Sequence, residues 1–141
     1  MIVLDTHVWV WWVQGDERLS EAATKALDAQ AGSGIGVSAI SCWEVAMLHA
    51  RRRIVLPCTL DDWLDQALRY PGIQLLDLTR MHLVDSCRLP GQFHADPADR
   101  MIVATARALG CPLVTADTKI LGYDHVNAIH PEALSKEQRP Q

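Results

Sequence analysis

Short apolar runs alternate with longer amphipathic stretches along the chain. Ile2-Val3-Leu4 is an apolar triplet that stops at Asp5 and predicts a strand. Residues 8–13, capped by Thr6, predict a helix that Gln14-Gly15-Asp16 breaks. A second helix opens at Ser20 and runs to about Gln30. Gly32-Ser33-Gly34 marks a loop, and residues 35–38 predict a second strand. Ser41-Cys42-Trp43-Glu44 matches the capping-box pattern, so Ser41 is expected to cap a helix with Glu44 as its partner. Trp43, Met47 and Ala50 recur at helical spacing as its apolar face, and the helix ends in Arg51-Arg52-Arg53.

The second half repeats the rhythm. Thr59 opens a helix to about Tyr70, Pro71-Gly72 stops it, residues 73–78 predict a strand and residues 79–89 a helix. Asp96 is a good N-cap with Pro97 at the first helical position. Ala98, Ile102, Thr105 and Leu109 form the expected buried stripe, and Gly110 closes that helix. Residues 112–115 predict a strand, 117–121 a short helix and 126–129 a last strand. Strands this short and continuously apolar, separated by helices, predict a parallel sheet covered on both faces: an α/β three-layer sandwich. One domain over residues 1–134 is expected, with a flexible tail over 135–141.

Composition removes several classes. Of 141 residues, 49% are hydrophobic and 21% charged, which fits a globular domain and excludes disorder and collagen. The apolar stretch 2–13 is broken by Asp5 and His7 and is too short to cross a bilayer. It lacks the flanks of a signal peptide, so a cytoplasmic protein without a membrane segment is expected. The four cysteines form no CxxC pair and predict reduced, mostly buried thiols. A net charge of −4 shows no overall basic footprint for nucleic acid, although a local patch would suffice.

The acids carry the candidate chemistry. Asp5 follows the first strand and Asp117 follows the strand of Leu113-Val114-Thr115, so both reach one edge of a parallel sheet, where ligands collect. Glu44 and Asp99 are expected in first helical turns along that edge. Arg100 is the one basic residue adjacent to these four acids in sequence. Like charges gathered without a counter-ion predict either a raised pKa or a bound cation, and hard oxygen ligands suit Mg²⁺ or Mn²⁺. Each acid also has a plain structural reading: Asp5, Asp96 and Asp117 as caps, Glu44 as the capping partner of Ser41.

These residues carry a family resemblance. Ile2-Val3-Leu4-Asp5-Thr6-His7, with Trp11-Trp12 and Gly15-Asp16-Glu17-Arg18-Leu19-Ser20, resembles the opening of PIN-domain ribonucleases of the VapC toxin type. Residues 38–46 around Glu44, Asp96-Pro97-Ala98-Asp99-Arg100 with the helix behind it, and Val114-Thr115-Ala116-Asp117 are similar to the family's later acidic motifs, in family order. Ala98 departs from the pattern, since relatives commonly carry an aromatic there. The resemblance implies a PIN-like fold and a Mg²⁺- or Mn²⁺-dependent endoribonuclease acting on RNA, made beside a small antitoxin that inhibits it, and a homodimer. It implies Asp5, Glu44, Asp99 and Asp117 as the catalytic and metal-holding acids, with Asp96, Thr6 and Thr115 as accessory residues. Arg51, Arg52, Arg53 and Arg100 are candidates for RNA phosphates, and the three arginines equally complement a helix end. Trp9, Trp11 and Trp12 read as core or interface, and His7 is the one histidine placed to test. An aspartyl-phosphate phosphohydrolase with Asp5 as nucleophile, and a non-catalytic module of the same fold, are the alternatives.

Overall fold

The computed structural model describes residues 1–137. The chain runs β1 (Ile2–Leu4), α1 (Thr6–Gln14), α2 (Glu21–Ala29), β2 (Ile35–Ser38), α3 (Ala39–Ala50), α4 (Leu60–Leu68), β3 (Ile73–Leu76), α5 (Arg80–Ser86), α6 (Pro97–Leu109), β4 (Leu113–Val114), α7 (Thr118–Leu121), β5 (Ala128–Ile129) and α8 (Leu134–Glu137). The sheet has the order β3-β2-β1-β4-β5 and every pairing is parallel. The expected three-layer sandwich is therefore present.

Side-chain alternation in the central strands builds the two outer layers. Ile2 and Leu4 join Val8, Trp9 and Trp12 of α1, Ala26 and Leu27 of α2, Val45 of α3 and Trp63 of α4 in one core. Val3 points the other way, into a core with Ile102, Val103 and Ala106 of α6, Leu113 and Ile120. Trp9 meets Trp63 edge-on at 5.2 Å and Trp12 meets Tyr70 edge-on at 4.6 Å, so two tryptophans of the N-terminal cluster are core.

The strand order places the site. From β1 the chain moves outward to β2 and β3, then crosses to the opposite side of β1 for β4 and β5. The order reverses at β1, and a crevice opens beyond the carboxyl ends of the strands at such a point. Asp5, Ser38 and Thr115 each stand at or just past a strand end there.

Several expectations need correction. Asp5, not Thr6, is the N-cap of α1, and the helix begins two residues earlier than the apolar pattern suggested. Ser38 caps α3 by accepting from the Ile40 N–H at 3.2 Å, because the helix starts directly at the end of β2. Ser41 is therefore inside the helix, no capping box forms, and Glu44 lies one turn deeper than expected. Trp43 is 55% exposed and Ala50 is exposed, so their stripe is not a core face. Leu109 is also exposed, so the stripe of α6 is not buried to its end. None of the four free cysteines is fully buried. β3 ends at Leu76 and α5 at Ser86, short of expectation, and β5 is confined to Ala128–Ile129. Ser135, placed at the start of the tail, belongs to α8, and residues 138–141 lie outside the described residues. No helix among the described residues is long and apolar enough to cross a membrane.

Gly72 shows how tightly the edge strand is seated. It has φ +85°, and a Cβ there would lie 2.4 Å from Ala31 Cα. Gly72→Ala should lower the unfolding free energy by about 2 kcal/mol or more. Gly32→Ala, with open space around it, should change it by less than about 0.5 kcal/mol. Urea denaturation of the two variants checks the contrast.

Candidate active site

Asp5 is 5% exposed, and both carboxylate oxygens accept hydrogen bonds. The Thr6 backbone N–H donates to Oδ1 at 2.8 Å and the Thr115 hydroxyl donates to Oδ2 at 2.7 Å. The Thr115 hydroxyl in turn accepts from the Asp117 N–H at 3.0 Å. One hydroxyl thus ties the residue after β1 to the turn after β4. Burial raises the Asp5 pKa, and the bonds from Thr115 and Thr6 partly oppose it.

Thr6 reaches a second acid. Its hydroxyl lies 2.5 Å from Glu44 Oε1 and 2.8 Å from Ser41 Oγ. A hydroxyl has one proton, so Ser41, Thr6 and Glu44 form a relay rather than two independent donations by Thr6. Ser41 is buried, and its place in this relay was hidden by its capping-box reading. Glu44 has its pKa pushed up to about 7, first by burial and further by Asp5 and Asp96, against the Thr6 bond.

Asp99 occupies the first turn of α6, where its N–H donates to Asp96 Oδ1 at 3.0 Å. Its pKa is pushed up to about 8, first by burial, then by the charges of Asp5, Asp96, Glu44 and Asp117. That list matters geometrically. Four acids from four separate segments all lie close enough to Asp99 to repel its negative charge. Asp96 belongs to the group as well as capping the helix. Asp117 caps α7, accepting from the Lys119 N–H at 2.8 Å. The structural readings of Asp5, Asp96 and Asp117 therefore hold together with the clustered one.

His94, absent from the sequence-based set, stands beside the acids with Nε2 3.0 Å from Asp99 Oδ2. Its one sequence signal is the position two residues before the cap of α6. His7 is exposed, and its charge lowers the Asp5 pKa.

The arginines fall outside the cluster. Arg100 Nε donates to Ser86 O at 2.7 Å, and Nη1 donates to Phe93 O at 3.0 Å and His94 O at 3.1 Å. Its Nε and Nη1 are thus directed to backbone carbonyls at the end of α5 and in the loop before α6. Arg51 to Arg53 are exposed, and Arg51 follows Glu44 by about two turns, roughly 10 Å along the axis. Arg53 lines a separate groove of about 350 Å³ with His7, Trp11, Arg18, Ile54 and Val55.

The donor set fits a hard divalent ion in kind: carboxylate oxygens, negative charge in excess, and no ion pair from a lysine or arginine to these acids among the described residues. Among those residues no three His, Cys, Asp or Glu side chains already form a coordinating group. Each acid is turned to a protein partner, as mutual repulsion favours. Each Asp5 oxygen accepts one hydrogen bond and keeps a second lone pair toward the cluster.

Comparison with known proteins agrees with this architecture. The sequence profile of the PIN domain matches residues 2–126. Ribonuclease VapC22 of Mycobacterium tuberculosis (strain ATCC 25618 / H37Rv) is 36% identical over 124 residues, spanning 88% of this chain and 92% of that protein. The fold is similar to that of VapBC2 from Rickettsia felis bound to a DNA fragment from their promoter, with TM-score 0.69 and 18% identity over 92% of this chain and 98% of that one. It is also similar to FitAcB from Neisseria gonorrhoeae, with TM-score 0.67 and 21% identity over 94% and 99% of the two chains.

Two outcomes follow from this geometry. The folded, metal-free chain retains protons on Asp99 and Glu44 at pH values where the unfolded chain has lost them. Stability therefore falls as pH rises from about 4 through about 8. Thermal melts without metal should show a higher melting temperature at pH 5.5 than at pH 8, and Asp99→Asn should flatten the slope; a melting temperature that climbs across this window contradicts the cluster. Arg100→Ala should cost about 3 kcal/mol in urea, from carbonyls left without a charged donor, whereas a residue held only for phosphate would leave stability unchanged.

Proposed function

The chain belongs to the PIN domain family, and we propose that it is a divalent-metal-dependent endoribonuclease serving as the toxin of a toxin–antitoxin pair. The observation that carries this reading is the gathering of Asp5, Glu44, Asp99 and Asp117 at the strand-order reversal, with no lysine or arginine paired to them among the described residues. The kinship with a VapC ribonuclease supports RNA as the substrate.

Asp5, Asp99 and Asp117, with Glu44, would hold Mg²⁺ or Mn²⁺. When bound there, such an ion would supply positive charge at the scissile phosphate and lower the pKa of a bound water. The remaining work belongs to the chain. Thr115 fixes the Asp5 carboxylate against the turn that carries Asp117. Thr6 and Ser41 orient Glu44, a carboxylate placed to take a proton from attacking water. Water oxygen bonds to phosphorus, the bond from phosphorus to the 3′ oxygen breaks, and that oxygen leaves with a proton. The products carry a 5′-phosphate and a 3′-hydroxyl.

The similar fold of a toxin–antitoxin complex from Klebsiella pneumoniae, with TM-score 0.65, supports a protein partner of the antitoxin kind. The groove of Trp11, Leu48, Ile54 and Val55, edged by Arg18 and Arg53, offers it a seat with both apolar and charged contacts, and Val55 is 87% exposed there. A homodimer and a cytoplasmic location, where the RNA is, complete the proposal.

Purified protein should cut RNA in Mg²⁺ or Mn²⁺ and stop in excess EDTA. Glu44→Gln should lower kcat by about 10²- to 10⁴-fold, and Asp99→Asn should leave only background cleavage. Cleavage that persists in EDTA, or Asp99→Asn with wild-type rate, rules the mechanism out. The partner reading requires co-expression with the small protein encoded beside it to relieve toxicity.

A further inference from the structure

The segment 90–95 that leads into α6 has no helix or strand, yet it is tied down along its length. The Tyr123 hydroxyl donates to Pro90 O. Arg100 grips the carbonyls of Phe93 and His94 while also holding Ser86 O. The Phe93 ring packs on Tyr123 at 4.7 Å and on the His94 ring at 4.5 Å. His94 is thus fixed through its backbone and through its ring.

The fixed imidazole bears on one acid. His94 Nε2 is 3.0 Å from Asp99 Oδ2, and the two side chains are 22% and 16% exposed. The nitrogen itself is buried, and its contact with Oδ2 does not have the geometry of a hydrogen bond. A buried polar atom left in that state is unfavourable. The contact is therefore imposed by the loop rather than by its own gain. Hydrogen bonds at a reaction centre often form and align only when the ligand is bound.

We propose that His94 is a positioning residue for Asp99: the clamped loop sets its imidazole against Oδ2 and so holds the carboxylate in the orientation that leaves its other oxygen for the divalent ion. The assignment rests on the reading of Asp99 as a metal-holding acid. Partners behind a ligating carboxylate typically change metal affinity or activity by 10- to 100-fold when removed. His94→Ala should lose a factor in that range, with the metal-free fold intact because Arg100 and Phe93 still hold the loop.

The test is Mn²⁺ titration of the full chain, followed by the electron paramagnetic resonance signal of free Mn²⁺, for wild type, His94→Ala and His94→Gln. Metal-free melts and steady-state RNA cleavage accompany it. The expected result is Mn²⁺ affinity about 10-fold or more weaker in His94→Ala and partly restored in His94→Gln, whose amide can donate to the same oxygen. At a fixed, subsaturating Mn²⁺ concentration kcat falls with the affinity while KM for RNA stays within about twofold. Wild-type Mn²⁺ affinity in His94→Ala overturns the proposal. Equal losses of affinity in both variants, with lowered metal-free melting temperatures, also overturn it, since general packing produces that pattern. A wild-type chain that binds Mn²⁺ but leaves RNA intact defeats the nuclease reading, and the binding data then decide the role of His94 alone. A wild-type chain that binds no Mn²⁺ overturns both.

Discussion

Asp5 is a carboxylate buried at the centre of a parallel sheet, and the rest of the site is arranged around its two oxygens. Burial favours its neutral form. The Thr6 N–H and the Thr115 hydroxyl favour the charged one. These two bonds also join three elements, because Thr6 opens α1 and Thr115 follows β4, while β1 ends at Leu4. The neighbouring acids attach to the same two threonines: Glu44 to the Thr6 hydroxyl, the Asp117 backbone to the Thr115 hydroxyl. Pairing of β1 with β4 is what brings the threonines to opposite sides of one carboxylate.

This arrangement works against stability. Glu44 and Asp99 have raised pKa values because burial and neighbouring charge disfavour their ionised forms. Two apolar layers offset the strain. Trp9, Leu4, Leu27 and Val37 fill one side of the sheet, and Ile102, Leu113 and Ile120 the other, all at the lowest exposures in the chain. A protein that gathers buried acids needs such a core, and any cation that binds the folded chain adds to its stability.

Arg100 illustrates how neighbours in sequence separate in function. Asp99 and Arg100 are consecutive on a helix, so their side chains leave the axis about 100° apart. Asp99 faces the other acids. Arg100 faces the loop before the helix and holds three carbonyls. Its charge organises the approach to the site rather than neutralising it, and His94 is carried on the segment it holds.

The alternation of apolar runs and helical stripes by itself determined the element order, the parallel sandwich, and the presence of Asp5 and Asp117 beyond strand ends, because side-chain period and strand polarity are local properties. Local rules also placed Asp96 as a cap and Gly110 as a helix stop. They misassigned Ser41, whose capping pattern competes with Ser38 three residues earlier, where the end of β2 fixes the helix start. They also left Trp43 and Leu109 on a presumed core face, since periodicity identifies a stripe but not whether a neighbour covers it. The Thr115–Asp5 bond, the Ser41–Thr6–Glu44 relay, the retreat of Arg100 from the acids and the approach of His94 to Asp99 were decided only by the tertiary structure. The bonds to Asp5 and Glu44 join residues as far as 110 positions apart. The orientations of Arg100 and His94 depend on how one loop packs, and neither kind of information is carried by spacing along the chain.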